Sequence, residues 1–357
     1  MGATTKQKVV PWERTFNIRI VLTLLINHNY ISDVTSFVTS NKSFGIQEIQ
    51  LLHTNQFKEM ECKLGIYTLS DGEELGSFTG ILQQGDLYFD VYKGKRVNLI
   101  LSGIDIEKEL LALETYNIDS ITLNRSFCEN RIYSLEFLKE YPSIKKVHIC
   151  NDDFVLDGLY YLNDLEELQL SGKKPIDYLK FNRLKVLSVQ HPGPYVFPDS
   201  IQTLHIWHMK LKGNTLGSIR FPKSLQELYL YWTDIQSLEG LPSNLKTFGI
   251  FMSRNLRSLK GLSASSDTLQ KLWIENCPHL EAYEDLGTCT KMRHMLILEC
   301  RHIPNLSFLP NMKELNHFAF YGTQVDDCNL ENLKGIPSVY FKNHKGYNYK
   351  LKDFRED

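Results

Sequence analysis

A six-residue pattern returns eleven times in this chain, and a return of that kind leaves few folds open. An apolar residue is followed by apolar residues three and five places on. The pattern appears as "IDSITL" from Ile118, "IKKVHI" from Ile144, "LEELQL" from Leu165 and "LKVLSV" from Leu184. It continues as "IQTLHI" from Ile201, "LQELYL" from Leu225, "LKTFGI" from Leu245 and "LQKLWI" from Leu269, and closes with "MRHMLI" from Met292, "LNHFAF" from Leu315 and "IPSVYF" from Ile336. The spacings are 26, 21, 19, 17, 24, 20, 24, 23, 23 and 21 residues. Alternation within each copy is that of a short strand. A unit of this length cannot bury its apolar side alone, so the copies must stack and share one core.

The segments between the strands narrow the choice. "IQSLEGLPSNLKTFGI" and "LRSLKGLSASSDTLQKLWI" are too short for long helices, and "FPDSIQTLHI", "FPKSLQELYL" and "LPSNLKTFGI" place a proline just ahead of the strand. Residues 118 to about 344 resemble an irregular leucine-rich-repeat array of the short, bacterial type. The resemblance implies an α/β solenoid with a parallel β-sheet on its concave face. Turns or 3₁₀ segments would form the convex face. Eleven strands at about 4.8 Å would span roughly 50 Å. Leu168, Leu187, Leu204, Leu228, Leu272 and Met295 are expected in the core.

Two copies carry a second signal. "ENCPHL" and "LECRHI" each hold Cys-x-His, with Cys277 and Cys300 lying 23 residues apart. Two cysteines and two histidines could ligate zinc. The repeat reading favours another role. In the family pattern, the position three residues past the last apolar strand residue is an inward-turned Asn or Cys. Ile274 and Ile297 place Cys277 and Cys300 there, so both thiols are expected buried, with His279 and His302 outward. No metal and no cofactor is expected.

Residues 1–95 do not repeat clearly and read as a small N-terminal α/β region; the solenoid is assigned to 96–350. Strands are expected in 16–25 and 45–52, a short helix in 31–42, and a hairpin in "DLYFDVYKGKRVNLIL" about Lys93–Lys95. The region either caps the first repeat's core or carries a function of its own. "IQEIQL" and "VNLIL" also resemble degenerate early repeats. "IDIEKELLALETY", 104–116, reads as a helix leading into the array, and the charged tail "KDFRED" is expected to fray.

Composition excludes some functions. Forty Lys+Arg stand against 42 Asp+Glu, for a net charge of −2, so nothing suggests a polycation for nucleic acid. The longest apolar run, Ile20–Ile26, is far short of the roughly 20 residues a membrane span needs and lacks a signal-peptide cleavage site. "MGATTK" misses the myristoylation pattern at Lys6. Seven scattered cysteines, an odd number, point to a reducing, cytoplasmic compartment. The phosphate-loop, His-Glu-x-x-His and Gly-x-Ser-x-Gly motifs do not occur, and no catalytic residue is assigned. Cys128 reads as a loop thiol and Asn151–Asp153 as a solvated acidic turn.

What remains is the surface of the strands. Between the inward positions, the central copies present His205, Trp207, Tyr229, Tyr231, Phe251 and Trp273, with Glu227, Lys271 and Glu275 beside them. A contiguous aromatic patch with mixed charge around it has the composition of a protein–protein interface. The rings either meet a partner or pack on one another; in the first case alanine there should leave the fold nearly intact. The chain is therefore expected to be a binding protein and not an enzyme, engaging a protein partner on its concave face. By resemblance it is similar to bacterial immunity proteins that neutralise a cognate toxin. A regulatory or adaptor subunit, an enzyme with its activity in 1–95, and a sugar binder are the alternatives.

Overall fold

A computed structural model describes residues 61–63, 66–68, 80–84, 87–92, 96–101, 106–115, 118–123 and 134–354, the last span without 151–153, 173, 175, 191–195 and 212. The strands expected in 16–25 and 45–52, the helix in 31–42, the hairpin tip Lys93–Lys95, Cys128 and Asn151–Asp153 lie outside the described residues. The chain divides into two compact units, Met1–Ile132 and Tyr133–Asp357.

In the first unit, β1 (Glu61–Lys63) and β2 (Ile66–Thr68) pair antiparallel. The strands β3 (Gly80–Gln84), β4 (Leu87–Tyr92) and β5 (Arg96–Leu101) form an antiparallel meander, and β4–β5 is the expected hairpin. Helix α1 (Ile106–Thr115) follows and leads to β6 (Ser120–Leu123), which lies parallel to β5 with Leu99 opposite Ile121 and Leu101 opposite Leu123. A parallel pair needs a crossover, and α1 supplies it. "VNLIL" thus takes the place of a repeat strand.

The second unit holds ten of the predicted strands: β7 (Lys146–Ile149), β8 (Glu167–Leu170), β9 (Val186–Val189), β10 (Thr203–Trp207), β11 (Glu227–Tyr231), β12 (Thr247–Phe251), β13 (Lys271–Glu275), β14 (His294–Leu298), β16 (His317–Ala319) and β18 (Ser338–Tyr340). Each pairs in parallel with the next, without a slip in register: Leu168, Leu187, Leu204, Leu228, Phe248, Leu272, Met295, Phe318 and Val339 follow one another across the sheet. The six core residues expected from sequence are at most 1% exposed. Short 3₁₀ turns, among them Leu156–Tyr161, Leu262–Ser265, Glu284–Thr288 and Leu309–Asn311, form the opposite wall and bury Leu159, Leu262, Leu286 and Leu309 against that row. Two further strands, β15 (Arg301–Ile303) and β17 (Thr323–Val325), pair in parallel as a small second sheet that the repeat pattern does not announce.

The Cys-x-His corners are resolved by the turn that follows each strand. Met209, Thr233, Ser253, Cys277, Cys300 and Thr323 occupy one equivalent position in six successive repeats, and all are buried. Each polar member reaches a group its turn would otherwise strand. Thr233 Oγ1 and Ser253 Oγ lie 2.8 Å apart, Cys277 Sγ donates to Glu275 O at 3.6 Å, and Cys300 Sγ to Leu298 O at 3.1 Å. Thr323 Oγ1 donates to Ile297 O at 2.9 Å and accepts from Cys300 N at 3.0 Å. His279 is exposed; His302 is half-exposed and faces Asp326 at 3.5 Å. The thiols point in and the imidazoles out, so the four groups share no centre.

One expectation is corrected. Lys352–Phe354 do not fray: they belong to the 3₁₀ turn Leu351–Phe354, and the Phe354 ring meets Phe341 edge-on at 5.9 Å and Tyr349 at 5.8 Å. The charge of the tail conceals this one aromatic anchor.

Candidate functional site

Parallel register carries the predicted surface residues into rows. Trp207, Tyr231, Phe251, Glu275 and Leu298 are consecutive neighbours across β10 to β14. So are His205, Tyr229, Gly249, Trp273 and Leu296, and likewise Thr203, Glu227, Thr247, Lys271 and His294. All nine residues singled out from sequence stand on the outward face of four adjacent strands, β10 to β13, because alternate strand positions point to opposite sides.

The rings stack along these rows. Trp207 and Tyr231 lie 3.8 Å apart and nearly coplanar in tilt, at 6°; Tyr231 and Phe251 follow at 4.7 Å and 12°. Phe251 meets Trp273 edge-on at 5.0 Å and 71°. In the adjoining row His205 stacks on Tyr229 at 4.5 Å. Gly249 makes this possible. A Cβ there would come within 2.7 Å of both the Tyr229 and Phe251 rings, so the absent side chain is the space into which they lean. Polar ends are partly tied: Trp207 Nε1 donates to Ser188 Oγ at 3.3 Å, Tyr229 Oη to Glu227 Oε2 at 3.3 Å, and Tyr231 Oη lies 3.5 Å from His205 Nδ1.

The two sequence alternatives, rings for a partner and rings for one another, are thus not exclusive. Each ring covers its neighbour's face and leaves an edge outward. Trp207, Tyr229, Tyr231 and Phe251 are half-buried and Trp273 is 39% exposed. Alanine at Tyr231 removes its stacked contacts with Trp207, Phe251 and His205, each worth about 0.5–1.5 kcal/mol, so the expectation of a nearly unaffected fold is revised. Burial also sets the protonation of the row. It lowers the His205 pKa to about 4, so the imidazole is neutral near pH 7. Burial raises the Tyr229 and Tyr231 hydroxyls, with the Glu227 carboxylate adding to the effect at Tyr229.

Some surface residues escape the alternation argument. Trp232 and Met252 sit just past their strands and are 42% and 41% exposed, with Trp232 stacked on His208 at 5.0 Å. Further along the sheet Tyr321 and Tyr340, 45% and 48% exposed, stack at 5.9 Å. These two stand in the same outward rows and were readable there; Trp232 and Met252 follow a turn whose direction a period of two cannot give. Among the described residues no three His, Cys, Asp or Glu side chains form a group able to hold a metal, and no helix is long and apolar enough to cross a membrane.

No protein-family profile matches the chain, and no curated sequence does. Among solved structures it is similar to an internalin from Listeria monocytogenes, at 20% identity over 53% of this chain and 51% of that one, with a TM-score of 0.37. A plant peptide hormone receptor, RGFR1 in complex with RGF2, is similar at 14% identity over 63% of this chain and 48% of that one, with a TM-score of 0.29. The chain spans about half the length of these two proteins. On the evidence of their own repeat, unbroken parallel register and buried turn ladder, the described residues of the second unit fold as a leucine-rich-repeat solenoid.

Proposed function

We propose that this chain is a protein-binding module whose partner docks on the outward aromatic face, and that it acts by binding and not by catalysis. The observation that carries the reading is the stacked row Trp207–Tyr231–Phe251–Trp273, which leaves ring edges exposed on a continuous face. Rings held by their neighbours lose little freedom when a partner arrives, so the entropic cost of docking is low. Glu227, Lys271 and Glu275 supply a rim of mixed charge that suits a protein and not a polyanion.

The partner class proposed is a toxin polypeptide that the chain neutralises. Inhibition of that kind asks for tight, long-lived binding, and a pre-ordered aromatic surface favours slow dissociation. The compartment proposed is the cytoplasm, a reading supported by the unbridged thiols of Cys277, Cys289, Cys300 and Cys328. The test is co-expression with the open reading frame beside its gene. That neighbour, expressed alone, should arrest growth, and this chain should restore it. Tyr229→Ala with Tyr231→Ala should fail to restore growth while the protein remains folded by circular dichroism. A neighbour that is harmless alone would refute the toxin reading; full rescue by the double variant would refute docking on the aromatic face.

A further inference from the structure

The seventh position after the first apolar residue of the repeat has a left-handed backbone in the six repeats from β10 to β16. φ is 56° at His208, 50° at Trp232, 54° at Met252, 54° at Asn276, 52° at Glu299 and 68° at Gly322. Six recurrences show that the turn itself requires this conformation. Asn276 and Gly322 are the residue types that adopt it readily. Trp232 and Met252 adopt it with a Cβ crowded against the following carbonyl, and neither is repaid by burial, at 42% and 41% exposed. Strain kept at exposed positions, where a cheaper residue serves two repeats away, points to a use for the side chain.

What the two side chains build is a hollow of about 330 Å³, lined by Trp232, Met252, Arg254, Asn276, Pro278 and Glu299. Trp232 also lies 5.4 Å from Trp207, so the hollow is continuous with the stacked row. Its lining carries both signs, with Arg254 in one wall and Glu299 at the far end. The Glu299 carboxyl group is laid over Gly322, where any Cβ would collide with it, and so is turned along the row toward the next repeat. Arg254 has no ion-pair or hydrogen-bond partner among the described residues.

We infer that this hollow recognises an extended segment of the protein partner that inserts an aliphatic or aromatic side chain against Trp232, Met252 and Pro278 and sets an adjacent Asp or Glu on Arg254. The inference rests on the protein-binding reading above but uses none of the stacked-row residues tested there. A charge-assisted pair with Arg254 gives the hollow its selectivity, and the apolar walls give it contact.

The test titrates the full chain with acetylated, amidated hexapeptides that differ in one central pair: Leu-Asp, Leu-Asn or Leu-Lys. The readout is the Trp232 indole N–H cross-peak in ¹⁵N NMR, assigned with Trp232→Asn. Leu-Asp should move it saturably and bind about tenfold more tightly than Leu-Lys, the scale of one charged hydrogen bond. Arg254→Gln should reduce Leu-Asp to the level of Leu-Asn. Met252→Asn should weaken Leu-Asp while raising the melting temperature by about 2–4 °C, because it relieves the left-handed strain. No saturable shift, equal binding of Leu-Lys, or a Met252→Asn protein that is less stable yet binds normally would overturn the inference. So would maltohexaose moving the same cross-peak while the peptides do not. If the peptides fail and growth rescue still needs Tyr229 and Tyr231, this inference alone falls; if the peptides bind and rescue ignores those tyrosines, the docking reading alone falls.

Discussion

Gly249→Ala tests the stacked face without removing any ring. Position 249 lies in β12 without a left-handed backbone, so alanine should fit the main chain. On backbone grounds alone the change should stabilise the protein by about 0.4–1 kcal/mol, through reduced freedom of the unfolded chain. The structure predicts the opposite sign. The new Cβ would lie 2.7 Å from Tyr229 Cδ1 and 2.7 Å from Phe251 Cε2. Neither ring is free to retreat: Phe251 is held between Tyr231 at 4.7 Å and Trp273 at 5.0 Å, and Tyr229 is stacked on His205 at 4.5 Å. Forcing a methyl group into such packing costs about 1–3 kcal/mol. The net expectation is destabilisation of roughly 0.5–2 kcal/mol, a fall of a few degrees in melting temperature for a unit of this size. Urea titration followed by far-ultraviolet circular dichroism gives the stability, and the near-ultraviolet spectrum reports the rings. A stabilised variant with an unaltered near-ultraviolet spectrum would refute the stacked geometry.

Three other outcomes follow from the same structure. Leu228 is fully buried in the middle of the strand row, so Leu228→Ala should lower stability by about 2–5 kcal/mol in denaturant titration. The His205 pKa is depressed to about 4 by burial, below the ordinary value near 6.5, so the unfolded chain binds the extra proton between these values. Stability should therefore fall as pH drops from about 6.5 toward 4, by on the order of 3 kcal/mol from this group, and His205→Gln should flatten that slope; identical slopes would refute its burial. Burial holds the Cys289 thiol up at about 11, and the hydrogen bond with Cys277 together with burial raises Cys300, so these buried thiols should resist thiol reagents until the protein unfolds, whereas the half-buried Cys150 reacts in the native state. Fast native labelling of Cys300, or one zinc per chain by elemental analysis, would contradict the ladder assigned to it.

The array was legible because its signal is redundant. Leu165, Leu168 and Leu170 alone would fit many folds, but the same three positions return in every repeat, and parallel stacking demands little more. Cys277 and Cys300 were legible for the same reason, by place in the repeat. The members of that ladder that are neither Asn nor Cys, namely Met209, Thr233, Ser253 and Thr323, show that the position asks for an inward side chain and tolerates several chemistries. The candidate face was legible in membership and not in arrangement. Alternation put Tyr229, Tyr231 and Phe251 outward, yet their stacking depends on ring tilt and on the space above Gly249, which no pattern of apolar residues encodes. Trp232 and Met252 were hidden for a different reason: a left-handed residue after a strand breaks the alternation on which the argument runs.

The most direct test of docking on the aromatic face is site-specific photocrosslinking in cells that express the protein. A benzoylphenylalanine placed at Trp273, which is 39% exposed in that face, should yield one discrete adduct with a polypeptide. The same group at Leu179, 52% exposed on a 3₁₀ turn of the opposite wall, should yield none. Adducts at Leu179 and none at Trp273 would place the partner on the other side of the solenoid and contradict the account.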